Sequence, residues 1–186
     1  MSSASRRRGV TKAQWLEAGL QALGEGGVAA VRVEALARSL GIAKAGFYWH
    51  FKDRSDLMQQ LLDYWSHEVT EVITENSEVL ALEPKARLVR TAEMILEYDL
   101  TTHELGVRLW GLRDATAARA VRRVNRTRLE FIRSAFAELG FGGDDLEMRT
   151  MLFAVYQSFE GPMLREISRK RRRELIERRI ELLASR

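Results

Sequence analysis

Residues 33–54 read VEALARSLGIAKAGFYWHFKDR. Val33, Leu36, Ala37 and Leu40 fall at i, i+3, i+4 and i+7, one apolar stripe of a helix. The helix is expected to end at Gly41, which tolerates the left-handed conformation of a stop. A second short helix is expected from Lys44 to Phe51, with Phe47 and Phe51 one turn apart and turned inward while Lys44, Ala45 and Tyr48 share another face. Two short helices joined by a glycine-containing turn make a helix-turn-helix, whose second helix can enter a DNA major groove.

The charge distribution agrees with such a role. Residues 1–60 carry nine basic and five acidic side chains, a net +4, and the remainder is balanced. All of the net positive charge therefore lies on the part holding residues 33–54, which suits a phosphate-binding surface. At 186 residues, with 46% apolar and 30% charged, the chain can bury one good core or two small ones. It has no cysteine, so disulfides, thiolate nucleophiles and cysteine-held metals are excluded. No apolar run approaches the roughly 20 residues of a membrane span. Arg6 and Arg7 are not followed by the apolar segment of a twin-arginine signal, so a cytoplasmic location without a membrane partner is expected.

Outward from the central stretch, residues 1–10 are polar and basic without periodicity, a flexible arm that either contacts the DNA backbone or has no partner. Thr11 and Gln14 read as a capping box opening a helix through Trp15, Ala18, Gly19, Ala22 and Leu23, which Gly24, Gly26 and Gly27 end. Asp53 is placed to cap a connecting helix over 53–76 with Leu57, Leu61, Tyr64 and Trp65 inward. Pro84 starts the next helix; further helices are expected at 104–112 around Leu105, Leu109 and Trp110, and at 115–139 up to Gly140. Gly142 and Gly143 form a turn, Asp144 or Asp145 opens a helix ending at Gly161-Pro162, and a last helix spans about 170–184. No useful β-alternation occurs, so the fold expected is all-α, about nine helices. The division is a helix-turn-helix domain over 11–54 and a helical ligand-binding and dimerisation domain over 55–186.

Lys44, Ala45 and Tyr48 are the groove-facing candidates; His50, Lys52 and Arg54 are placed for phosphates, and Arg32 can reach one electrostatically. The run GIAKAGFYWHFKDRSDL, residues 41–57, resembles the DNA-binding segment of the TetR family of bacterial transcriptional regulators, the specific feature being FYWHF followed by Lys52. The resemblance extends more weakly over the whole chain. It implies that Tyr48, His50 and Lys52 contact the DNA backbone, that Phe47 and Phe51 are core, and that the second domain dimerises and binds an effector; Trp49 is left open. The chain departs from the family pattern in Arg32, which cannot cap the second helix, and in Ala43 and Gly46 where serine and threonine are frequent. Gly46 costs an α-helix roughly 1 kcal/mol relative to alanine.

The last two helices carry apolar stripes that either complete the monomer core or pair with a second copy in a four-helix bundle. A homodimer is favoured because reading a palindromic operator takes two recognition helices about 34 Å apart or a multiple of that. Met94, Tyr98, Trp110, Phe131, Met151, Phe153 and Tyr156 are candidates to line an apolar effector cavity, with Arg108, Asn125 and Gln157 for polar contacts. The basic run 169–173 is either a second nucleic-acid patch or a solvated helix start balanced by Glu174, Glu177 and Glu181. The function expected is a dimeric DNA-binding repressor released by a small, largely apolar effector, with no cofactor and no metal; a DNA-binding protein without an effector is the alternative. An α-helical enzyme fits poorly, since the chain has three histidines and neither HExxH nor a repeated Glu-x-x-His pair.

Overall fold

The computed structural model describes residues 9–164 and 166–185, so all but the last two residues of the basic arm lie outside it. Helix α1 (Lys12–Gly26) opens on the expected capping box: Thr11 Oγ1 accepts from the Gln14 amide at 3.3 Å and Gln14 Oε1 from the Thr11 amide at 2.8 Å. Trp15, Leu16, Leu20 and Leu23 form its buried face. The helix does not break at Gly24. It continues to Gly26 and is closed by Gly27, whose amide donates to the Leu23 carbonyl at 2.9 Å. A 3-10 turn (Val28–Ala30) leads to α2 (Val33–Ser39), which Arg32 leaves without a side-chain cap and which gives way to Gly41 at φ 67°.

The second helix of the motif differs from expectation in kind. Lys44–Trp49 is a 3-10 helix, not an α-helix running to Phe51. With three residues per turn its side chains eclipse every third position, so within it Phe47 falls in line with Lys44 and Tyr48 with Ala45. Packing explains the tight winding. Phe47 is wedged edge-on to Trp15 at 5.5 Å and stacked on Phe51 at 5.0 Å, both phenylalanines buried. An α-helical propensity cost for Gly46 consequently does not apply.

Asp53 caps α3 (Arg54–Ser66), accepting from the Asp56 amide at 2.9 Å, while Asp56 accepts from the Lys52 amide at 2.9 Å. The rod continues through a π-helical turn (His67–Glu71) into α4 (Val72–Thr74), stopping short of Asn76, which instead caps α5 (Ser77–Leu80). Helices α6 (Pro84–Glu97), α7 (Glu104–Gly111), α8 (Ala115–Glu138), α9 (Gly143–Met163) and α10 (Arg169–Ala184) follow, and no strand occurs among the described residues. Helix α9 starts at Gly143 and runs past Gly161-Pro162, its last turn closed by the Leu164 amide on the Glu160 carbonyl at 2.9 Å. Arg169 of the basic run binds the Glu97 carbonyl at the C-terminal end of α6 at 2.6 Å and the Asp99 carboxylate at 3.3 Å, where the helix dipole favours a cation.

Two main cores result. The first joins α1, α2, the 3-10 helix and α3 to Val107 of α7 and Ala117, Ala120 and Val124 of α8, so the helix-turn-helix is sealed by residues far along the chain. The second gathers Leu88, Ala92, Phe136, Phe153, Ile176 and Ile180 from α6, α8, α9 and α10. In α7 the inner positions are Glu104 and Val107, while Leu105 and Leu109 are exposed. The physical cause is the crossing with α1, where Gly106 lies on the α1 backbone: a Cβ there would come within 3.1 Å of Gly24 Cα and 3.3 Å of the Leu23 carbonyl oxygen. Gly24 thus remains helical as half of a backbone contact.

Candidate nucleic-acid interface and effector cavity

Because Phe47 and Phe51 are the inner anchors, the residues between them are thrown outward. Tyr48 is 58% exposed and Trp49 87% exposed, two large aromatic rings standing out of the N-terminal domain. Ala45 and Lys52 are exposed beside them, and Lys52 uses its backbone, not its ammonium, in the turn. Lys44 pairs with Glu34 of α2 at 2.6 Å. That hydrogen bond lowers the Glu34 carboxyl and raises the Lys44 ammonium from their ordinary values. The pair is open to water and therefore weak, so a phosphate or base oxygen can compete with Glu34 for the lysine.

Two of the candidate phosphate contacts have other work in the fold. His50 Nε2 donates to the Val10 carbonyl at 2.9 Å, tying the end of the arm to the 3-10 helix. Arg54 donates through Nε to Val31 and through Nη2 to Val28, each at 2.7 Å, bracing the link between α1 and α2. Arg32 is exposed at the start of α2. The surface brought together is thus Ala45, Tyr48, Trp49 and Lys52, with Lys44 behind an ion pair. Tyr48 and Trp49 suit contact with the sugar-phosphate edge of a groove, and the ammonium of Lys52 suits a phosphate.

A cavity lies between the far end of the α3–α4 rod and helices α6, α8 and α9. Val69, Thr70 and Ile73 form one wall, Ile95 and Leu100 a second, and Phe131, Ile132, Phe153, Ala154 and Gln157 the remainder. About 490 Å³ of unfilled space runs out to solvent, with only about 40 Å³ of free interior. Of the candidate lining residues, Phe131, Phe153 and Gln157 are here. Met94 is instead buried with Ile73 and Val79, Trp110 packs on the first core, Tyr98 is exposed beyond α6, and Met151 is half exposed on the outer side of α9. Tyr156 lies under the Arg179 guanidinium, 3.9 Å from its ring centre. The spacing of apolar residues marks helix faces but not which face meets which, and this is why most of these candidates fall elsewhere.

The charged residue at this cavity is Arg128, which composition does not single out. Its signal is positional: it sits on the α8 stripe between buried Val124 and Ile132, where an apolar residue belongs. Arg128 donates to both oxygens of Glu104, at 3.0 and 3.1 Å, and to Thr70 Oγ1 and the Val69 carbonyl in the π turn, each at 3.2 Å. Glu104, 1% exposed, also accepts from Arg108, which reaches Asn125 Oδ1 at 2.8 Å. One buried carboxylate between two guanidiniums is well satisfied. Among the described residues, no group of three or more histidines or acids is placed to hold a metal ion.

Comparison with known proteins adds to this geometry. A family model described as bacterial regulatory proteins, tetR family, matches residues 16–61. The HTH-type transcriptional regulator TtgR of Pseudomonas putida is 35% identical over 68 residues, 37% of this chain and 32% of the relative. The HTH-type transcriptional regulator AcrR of Shigella flexneri is 25% identical over 91 residues, 49% of this chain and 42% of that protein. The matches therefore span a third to less than half of these curated relatives. Among solved structures, a transcriptional regulator from Rhodococcus sp. Rha1 superposes with a TM-score of 0.70 at 12% identity, over 94% of this chain and 96% of that one. FadR from Bacillus subtilis in complex with stearoyl-CoA gives 0.68 at 16% identity, over 94% and 98%. At these identities the likeness is one of fold.

Proposed function

Because residues 16–61 match the model of the tetR family of bacterial regulatory proteins and the chain around them has the fold of solved regulators of that family, we propose that the protein is a transcriptional regulator of this kind. In this reading it binds a palindromic operator as a homodimer and is a repressor released by a small, largely apolar effector. The observation that carries the proposal is the pair Tyr48 and Trp49, held out to solvent next to Lys52 by the buried wedge of Phe47 and Phe51. Adjacent large aromatics held out to solvent suit an interaction surface, and a duplex groove edge matches their chemistry. Its action would lie in the cytoplasm with the DNA; no helix among the described residues is long and apolar enough to cross a membrane.

The second copy is supported by α9, where Met148, Met151, Leu152, Val155, Phe159 and Met163 form an exposed apolar stripe at helical spacing. The stripes of α9 and α10 are not alike: Ile176 and Ile180 of α10 are spent in the second core, and Leu182 alone among its leucines stands well exposed. Coupling between effector and DNA is supported by the rod α3–α4, which begins directly after the 3-10 helix and ends in the cavity wall at Val69, Thr70 and Ile73. An effector that favours one arrangement of the rod shifts the equilibrium by its difference in affinity for the two states. The fold shared with FadR in complex with stearoyl-CoA supports a ligand-responsive second domain.

The test is enrichment of genomic fragments from the source organism retained by the full chain. A shared palindromic sequence among the retained fragments is expected. Uniform retention across the genome would replace a sequence-specific regulator with a sequence-blind DNA-binding protein.

A further inference from the structure

One donor and one excess positive charge at the cavity wall are not balanced by the protein around them. The first is the amide nitrogen of Gln157, a residue 4% exposed. Its Oε1 accepts from Arg179 Nη2 at 3.2 Å, which fixes the orientation of the amide, and its Nε2 is left buried without a partner. A buried donor with no acceptor is costly, and such groups in folded proteins call for an explanation. The second is the charge of the Arg128 cluster. Two guanidiniums share one carboxylate, Glu104, so the cluster carries a formal +1, and Arg128 is the charged side chain of the cavity lining, which contains no acid to balance it. The remaining walls are aliphatic, aromatic or hydroxyl-bearing.

We infer that the cavity takes an amphipathic anion, an apolar body ending in one carboxylate, whose head group is held by Gln157 Nε2 and Arg128. This rests on reading the cavity as the effector site and names the class of ligand and the way it is sensed. The free interior of about 40 Å³ has room for no more than a few water molecules, so an apolar body must part the walls to enter. One of those walls is the π-helical end of the rod, and Arg128 is the side chain that ties it to α8, through Thr70 Oγ1 and the Val69 carbonyl. A π turn is a rare, single-turn departure from the α-helix that is frequent at functional sites. A carboxylate that recruits Arg128 competes with these neutral acceptors, because it brings a full opposite charge and two oxygens that match the guanidinium fork. The rod is then released from α8 at the end opposite the recognition residues. Arg108 continues to neutralise Glu104 at 2.6 Å, so the buried acid is not orphaned by the exchange.

The experiment uses the full chain with three probes of one length, decanoate, 1-decanol and decylamine, each below its aggregation concentration, with binding read by calorimetry. Decanoate is expected to bind at least about tenfold more tightly than 1-decanol, which corresponds to about 1.4 kcal/mol, and decylamine more weakly than both. Arg128→Met and Gln157→Leu are each expected to reduce the preference for decanoate over the alcohol severalfold. Amide hydrogen exchange over residues 67–74 is expected to quicken when decanoate is bound. Equal affinity for decanoate and 1-decanol, or a preference untouched by both substitutions, would overturn the inference. If Arg128→Met fails to fold, Gln157→Leu alone decides, since it removes a donor that has no protein partner. DNA retention by the ligand-free chain is measured separately: its absence would sink the regulator reading and leave the carboxylate selectivity standing, and retention without selectivity would do the reverse.

Discussion

The side chains that would meet DNA owe their positions to a few buried neighbours. Phe47 is enclosed by Trp15 and Phe51, and this fixes Tyr48 and Trp49 on the outside. Tyr48→Ala and Lys52→Ala are expected to weaken binding to the enriched DNA without loss of thermal stability, because both side chains are exposed. Lys52→Ala should in addition flatten the salt dependence of log affinity by about one unit per lysine lost; gel shifts across a salt series check this, and an unchanged slope would remove Lys52 from the interface. A second residue-scale prediction concerns His103, which sits beside Gly24 at the α1–α7 crossing and whose imidazole is held below its ordinary value by burial, with Glu17 pulling weakly the other way. The unfolded chain then takes up a proton at about pH 6.5 while the folded one resists it, so stability is complete above that pH and declines as pH falls through it. His67 works in the opposite sense, raised by its bond to Glu71, but it is exposed. Melting at pH 7.5 and 5.5 should show a smaller drop for His103→Gln than for the natural chain.

At the scale of elements, three joints govern the molecule: the 3-10 helix after α2, the π turn within the rod, and the crossing of α1 with α7. The crossing brings the N-terminal domain into backbone contact with the helix that carries Glu104 and Arg108, so α7 touches both the helix-turn-helix side and the charged cluster at the cavity. Gly106→Val puts three carbon atoms where 3.1 Å separates a Cβ from Gly24, and the obstacle is backbone, which does not swing aside. The two helices must move apart. The expected result is a folded protein with its melting temperature lowered and its DNA affinity changed, measured side by side with Gly9→Val, a position with open space around it. Equal behaviour of the two variants would show that the crossing carries no strain. At the start of the rod, Asp53→Ala removes the cap on Asp56 and should cost about 1 kcal/mol, seen as a shift in the denaturant midpoint.

Taken as a whole, the molecule is a rod-linked pair of cores with an apolar stripe on α9 left uncovered. A closed two-fold pairing of that face would set the distance between two recognition segments, and it would bring the Met151 and Val155 side of the Arg128 cluster, where a recess of about 220 Å³ opens, under the second copy. Val155→Glu places a charge in the middle of the stripe, where it is harmless to a monomer but must be desolvated in a dimer. Sedimentation should find the natural chain at twice the monomer mass of 21.3 kDa and the variant at that mass, with operator binding reduced at least about a hundredfold through loss of the second half-site. A variant that stays dimeric would move the interface elsewhere.

Periodicity, caps and stops along the chain determine the all-helical architecture and the helix-turn-helix by themselves. Thr11 with Gln14, Asp53, Gly41 and the stripe from Val33 to Leu40 act over three or four residues, and all are found in the expected roles. The contact of Gly24 with Gly106, the partners of Arg128 at Thr70 and Glu104, the burial of Met94 away from the cavity and the outward stripe of α9 could be decided only by the tertiary structure. So could the 3-10 winding of Lys44–Trp49, because the wedge on Phe47 comes from Trp15, a residue of another helix. The difference is one of range: a helix's hydrogen bonds and caps close within a turn, whereas which faces meet depends on how whole helices bury their apolar area together, and that optimum is a property of the packed molecule.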